Sequence, residues 1–199
     1  MFPGLASTLT SLEFDLQAGE AIAALVSAAP HLPHLASLSV TFSHYSERDL
    51  QNGTDTAAPA IAQLASRLPA LRHLDLSTSS PRGLSYVLAL LAPPTSLRQL
   101  RTLVRLPQDV DGFDKCPAAE QAAAMEQWVG LAEACARSRL VGQLERWRFG
   151  VWPEFHVDRK AAPFEEQVGA FADSAEAWKK MQAEVAERGV EFMVEARHP

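Results

Sequence analysis

His73 and Asp75 stand two residues apart in a stretch of alternating polarity, so both project from one face of a strand. With Ser39 or Ser77 nearby they supply the residue types of a nucleophile, a general base and its orienting acid. Acyl transfer also needs a strained nucleophile turn and oxyanion donors, and no G-x-S-x-G occurs. His31 and His34 are three apart, but Pro33 lies between them and no acid accompanies them, which reads as a surface loop rather than a metal site. Asp109, Asp111 and Asp114 have the look of a calcium loop, yet no Glu closes the set and Phe113 intrudes. The two cysteines, Cys116 and Cys135, are too far apart to form a zinc motif or a disulfide framework. Neither G-x-x-x-x-G-K-[ST] nor G-x-G-x-x-G is present, which excludes nucleotide binding through those loops. These patterns predict no catalytic residue, no metal and no cofactor.

Arginine is the other chemistry-bearing residue type. Arg98, Arg101, Arg105, Arg146 and Arg148 lie near Trp147 and Trp152. That combination suits an interface anchor, or a grip on a phosphate or phosphopeptide. The competing reading is a solvated face with an indole in the core. Trp147 occupies an apolar repeat position, so burial is expected for it.

The whole chain sets bounds on these options. Its 199 residues are one domain by length and enough to bury a core without staples. The net charge of −6 argues against nonspecific binding to nucleic acid or to an anionic membrane. No apolar run approaches the roughly 18 residues of a membrane-spanning helix; the longest, Leu84 to Leu91, contains Ser85 and Tyr86. The start Met1-Phe2-Pro3-Gly4 lacks the basic segment of a signal peptide. A cytoplasmic or nuclear location is expected.

A repeat positions the chemistry. Apolar residues at positions 1, 4 and 6 recur as Leu9-x-x-Leu12-x-Phe14, Leu35-x-x-Leu38-x-Val40 and Leu71-x-x-Leu74-x-Leu76. Leu97-x-x-Leu100-x-Thr102 and Leu144-x-x-Trp147-x-Phe149 follow, then a degraded copy at Val190, Phe192 and Val194. The alternation at each end predicts a strand with one buried face. Between the strands run stretches of helical period: 21–29, 57–68, a third opened by Ser80 as N-cap and Pro81, 118–140, and 164–188. Asp173 and Glu176 look like a capping box that breaks the last of these, and Gly189 sits where a helix end favours glycine. Alternating strands and helices predict a parallel sheet with right-handed crossovers. Both faces of a doubly wound sheet are covered, and its strands read as continuous apolar runs. Here the alternate face carries Glu13, Asp15, Ser37, Ser39, His73, Asp75, Arg101, Arg146 and Arg148. The expected fold is therefore a right-handed α/β solenoid, with a parallel sheet of about six strands and helices on one face.

The LxxLxL cores at 9–14, 35–40 and 71–76, with helices between them, resemble leucine-rich repeats of the ribonuclease-inhibitor-like kind, and more loosely the repeat region of fungal F-box-type proteins. The resemblance implies one domain over 1–199, with clear repeats in 5–106 and, in 107–199, degenerate repeats closed by a capping helix and strand. The family's Asn-ladder position falls at Gln17, Ser43, Ser79, Arg105 and Trp152, so no Asn holds the loop backbone, although Ser43 and Ser79 can do so in part. Repeat steps are uneven, at 26, 36, 26 and 47 residues between Leu12, Leu38, Leu74, Leu100 and Trp147. A solenoid end needs a cap, and none is seen before Leu5. A further set of repeats or a domain N-terminal to the chain is one expectation; an edge that pairs with something is the other.

The resulting expectation is a non-enzymatic module that binds a protein partner through its strand face, in the manner of the substrate-recognition repeats of a larger F-box-like protein. The face residues are Glu13 and Asp15; Ser37, Ser39 and Thr41; His73 and Asp75; Gln99 and Arg101; Arg146 and Arg148. They run from acidic through neutral to basic, a gradient that can register a charged partner. Polar loops such as 43–55 and 105–117 can add contacts. Two other readings remain: a structural subunit or fragment of a larger assembly, and a small α/β enzyme with a crevice at the strand ends.

Overall fold

The computed structural model describes residues 8–15, 26–42, 57–78, 80–92, 94–106, 118–153 and 172–196. Six strands alternate with helices in chain order. The strands are β1 (Ser11–Asp15), β2 (Ser37–Phe42), β3 (His73–Thr78), β4 (Gln99–Leu106), β5 (Arg146–Pro153) and β6 (Glu191–Ala196). Among the described residues four α-helices lie between β2 and β6, α1 (Ala57–Ser66), α2 (Pro81–Leu90), α3 (Ala118–Arg137) and α4 (Ala172–Glu187), and a 3-10 turn, Ala29–His31, precedes β2. The strands form one open, all-parallel sheet whose spatial order is their order in the chain. Successive helices pack on one another in the same order. No helix among the described residues is long and apolar enough to cross a membrane.

The apolar positions of the repeat become rows across the sheet. The fourth-position row is Leu12, Leu38, Leu74, Leu100, Trp147 and Phe192; the sixth-position row is Phe14, Val40, Leu76, Thr102, Phe149 and Val194. From β2 to β5 every member of both rows is buried. They share one core with Ile61 and Leu64 of α1, Leu84, Val87 and Leu88 of α2, Leu131 and Cys135 of α3, and Trp178, Met181 and Val185 of α4. Each fully buried Leu or Val of this kind contributes about 1.5–3 kcal/mol of transfer free energy.

Strands β2 to β5 enter the sheet in the same way. Two successive N–H groups donate to one carbonyl of the preceding repeat: Ala36 and Ser37 to Thr10, Arg72 and His73 to Ala36, Arg98 and Gln99 to Arg72, Glu145 and Arg146 to Arg98. A tight turn precedes three of these entries, with Leu35 N–H donating to Leu32 O, Leu71 to Leu68 and Leu97 to Pro94, at 3.1–3.2 Å. All but Pro94 of those six residues are buried. Leu-Pro-x-Leu at 32–35 and 68–71 is thus a second repeat signature, lying just before the strands.

The expected helix ends are present. Ser80 Oγ accepts from Gly83 N–H at 3.0 Å, with Pro81 opening α2. At the end of α4, Gly189 has φ of +80°, Gly189 N–H donates to Ala186 O at 2.9 Å, and Val190 N–H donates to Val185 O at 3.4 Å. That pair of bonds is a Schellman motif, and its two apolar flanks, Val185 and Val190, are buried together. The ladder positions 17, 43 and 79 lie outside the described residues, as do the side chains at 105 and 152 and the loops 43–55 and 107–117. The expected capping box at Asp173 falls at the first turn of α4, where side chains are not described. One loop-holding role is taken by Thr78: its hydroxyl donates to Phe42 O at 2.9 Å, one repeat back, and accepts from Ser80 N–H at 3.1 Å.

The core changes character along the sheet. Around β2 to β4 it is aliphatic apart from Phe42, over helices α1 and α2 of 10 residues each. Around β5 and β6 it is aromatic, over helices of 20 and 16 residues. Trp178 of α4 packs on Phe149 of β5 (centroids 4.6 Å apart) and on Trp128 of α3 (6.1 Å), while Trp147 meets Phe192 edge-on at 5.9 Å. The larger side chains accompany the 47-residue step between Leu100 and Trp147. Trp147 is buried as expected, and its indole N–H donates to Thr102 Oγ1 at 3.0 Å. A hydroxyl at an apolar repeat position thereby satisfies a buried donor.

Candidate binding surface on the strand face

The register aligns the sequence-predicted face residues in rows. Ser11, Ser37, His73, Gln99, Arg146 and Glu191 form the upstream row, and Glu13, Ser39, Asp75, Arg101, Arg148 and Met193 the middle one. Adjacent members sit on strands about 4.8 Å apart. Glu13, Asp15 and His73 are exposed; Ser37, Ser39, Thr41, Asp75, Gln99, Arg101, Arg146 and Arg148 are half-buried. None of these side chains is covered to the degree seen in the opposite rows.

The downstream row behaves differently. Asp15 and Thr41 keep some exposure, but Ser77 and Leu103 are only 7% and 6% exposed and Gly150 beside them is buried. The expectation of a face wetted along its full length is corrected there: the solvated region comprises the upstream and middle rows and, of the downstream row, only Asp15 and Thr41 on β1 and β2. Ser77 Oγ is buried with no hydrogen-bond partner among the described residues.

A hollow of about 290 Å³ opens over the middle of this face. Its walls include Ser37, His73, Asp75, Gln99, Arg101, Arg146 and Arg148. Arg101 pairs with Asp75 at 3.1 Å, and the two side chains are only 24% and 30% exposed. Arg146 Nε pairs with Glu191 at 2.7 Å, and Gln99 Oε1 accepts from His73 Nδ1 at 3.2 Å. These pairs run across strands, two tying β3 to β4 and one tying β5 to β6 on the polar side of the sheet. They also flatten the expected charge gradient, because Arg101 and Arg146 each have a carboxylate against them. What remains is an acidic edge at Glu13 and Asp15 and arginine-rich walls around the hollow.

Two groupings suggested by the sequence are not assembled. His73 bonds to Gln99 and Asp75 to Arg101, and Ser77 Oγ has no hydrogen-bond partner among the described residues, so the His73, Asp75 and Ser77 side chains are not joined in a relay. The arginines do not converge as one set either. Arg98 turns back onto the strand-entry turn, donating to Thr95 O and Leu97 O and pairing with Glu145 at 3.4 Å. Trp147 lies in the core, away from any surface anchor role. His31 and His34 are exposed, and among the described residues no group of three or more His, Cys, Asp or Glu could hold a metal ion.

A second hollow was not visible in the sequence. It lies between α2 and α3, has a volume of about 680 Å³ and carries Arg82, Tyr86, Arg137 and Arg139. The available signal was Tyr86, an aromatic lying off the apolar stripe of α2. No protein-family model, curated protein or solved structure matches this chain.

Proposed function

We propose that this chain is a protein-interaction module: an irregular right-handed α/β solenoid of the leucine-rich-repeat kind that takes its partner across the upstream and middle rows of the strand face, with Asp15 and Thr41 beside them. The observation that carries the reading is the half-exposed polar face of an all-parallel sheet. Such sheets ordinarily have both faces covered by helices. Here polar side chains on five consecutive strands stay accessible, and pairs across the strands hold several of them in place. Two further features support the solenoid. Strand order follows chain order, and the substantial contacts among the described elements join sequence neighbours. The five connections between strands repeat one entry hydrogen-bond pattern, complete in four of them.

The partner surface that fits is mixed in charge. Basic groups would face Glu13 and Asp15, and a carboxylate would enter the hollow beside Arg101, Arg146 and Arg148. The same arrangement would serve substrate recognition within a larger protein of the F-box kind. The test is affinity capture from a lysate of the source organism with quantitative mass spectrometry. Arg146→Glu combined with Arg148→Glu, and separately Ser39→Arg, which adds bulk without removing an ion pair, should each reduce capture of the native chain's partners by tenfold or more. Glu187→Lys, on the exposed end of α4, should leave capture unchanged. Circular dichroism melts identify any variant that fails to fold. Retention of every partner by the folded face variants would sink the assignment.

A further inference from the structure

We infer that the cleft between α2 and α3 is a binding site for a small organic oxyanion, an apolar body carrying a phosphate or carboxylate. The site is separate from the strand face, being built from helices and the turn after α3. Its volume of about 680 Å³ falls within the range of about 300–1,000 Å³ typical of small-molecule sites. Three arginines border it: Arg82 in the first turn of α2, Arg137 at the end of α3 and Arg139 in the following 3-10 turn, Arg139–Gly142. Three guanidinium groups around one cleft run against the chain's net charge of −6. Arg137 is held by Glu133 one turn back, while Arg82 and Arg139 have no ion-pair partner among the described residues.

The position of Arg82 matters most. A cation in the first turn of a helix opposes the positive end of the helix dipole, and α2 has no acidic residue there to offset it. Folding alone gives no reason to place an arginine at that position. An anion in the cleft would be attracted by both the guanidinium and the helix end. Arginine presents parallel N–H donors that match a carboxylate or phosphate.

Tyr86 supplies the apolar surface for the ligand. Among the described residues only two large hydrophobics are exposed, Tyr86 and Leu90, at 43% and 40%, and both are on α2. Tyr86 lies one turn beyond Arg82, on the same side of the helix, and lines the cleft with Leu88 and Ala134. A flat or aliphatic body could lie against the Tyr86 ring while its oxyanion reaches Arg82 and Arg139.

The experiment uses 1-naphthyl phosphate as probe, with 1-naphthol and inorganic phosphate as the half-ligands, followed by 1H–15N correlation spectra of the full chain. The expected result is saturable shifts confined to residues 81–90 and 134–139, with naphthyl phosphate bound at least tenfold more tightly than either half. Arg82→Ala and Arg139→Ala should each weaken it about tenfold or more, as loss of a charge-assisted hydrogen bond does. Both side chains are exposed, so the spectra of these variants should otherwise match the native chain. Equal binding of naphthol, shifts centred on the strand face, unchanged affinity in the arginine variants, or no shift at millimolar probe would each overturn the proposal. None of those outcomes bears on the strand-face reading.

Discussion

Trp147 and Thr102 show how one polar atom can sit in a repeat core at no net loss. The indole N–H is buried and would be costly to leave unmatched, and Thr102 Oγ1 accepts it from the neighbouring strand. Thr102→Val strands the indole N–H and should cost about 1–3 kcal/mol. Trp147→Phe removes the donor and opens space beside Phe192, at a cost of about 2–4 kcal/mol. The double variant should cost less than the sum, because no orphaned donor remains. Urea unfolding of all four proteins measures the coupling, and strict additivity would refute the pairing. Cys135 is a second test at this scale. It is fully buried against the core, and desolvation pushes its thiol far above the ordinary range. It should resist iodoacetamide at mildly alkaline pH in the native protein and react once guanidinium unfolds it, as read by mass spectrometry of its peptide. The same shift sets a sign for stability. Its contribution is complete below the ordinary thiol pKa and declines as pH rises past it, since the unfolded chain then releases a proton that the folded chain retains.

Elements in this protein are stitched to the repeat before them by short side chains. Thr78 reaches Phe42 O, and Ser96 Oγ donates to Leu71 O at 2.9 Å. Thr78→Val should cost about 1–3 kcal/mol, from loss of the two hydrogen bonds its hydroxyl makes, to Phe42 O and from Ser80 N–H. Ser80→Ala, removing the cap of α2, should cost about 1 kcal/mol. Each kcal/mol corresponds to about 2–4 °C in Tm for a chain of this size, so calorimetry resolves both. The strands themselves were legible because a period of two with one buried face specifies register strongly. That is why Glu13, Ser39, Asp75, Arg101 and Arg148 emerge in one row. Ser80 and Gly189 were legible for a local reason, since caps depend on a few neighbouring residues. The Asp75–Arg101 and Arg146–Glu191 pairs join residues 26 and 45 apart and become visible only after the register is known. Burial of Ser77 and Leu103 departs from the alternation of their strands, which predicts both on the polar face. The α2–α3 cleft depends on how two helices splay, and no periodicity encodes that.

At the scale of the molecule, the sheet has two open edges and a graded core. Leu12 and Phe14 of β1 are half-buried, whereas Leu38 and Val40, their partners on β2, have no exposure. Hydrogen exchange should follow this gradient, with amides of β3 and β4 protected most and those of β1 least. Mass spectrometry of exchanged peptides checks it, and uniform protection would mean that the edge strand is covered.

The strand order has a mechanical consequence. Because each strand neighbours only the strands before and after it in the chain, tension applied to the two ends does not shear the whole sheet at once. It draws an edge strand away sideways, so the load falls on one strand interface at a time and passes inward as each gives way. Every step would pay out the chain between successive repeats, 26 to 47 residues, or roughly 90–160 Å of extended polypeptide. Such a molecule lengthens in low-force increments, and under strain it would lose its polar face one strand at a time.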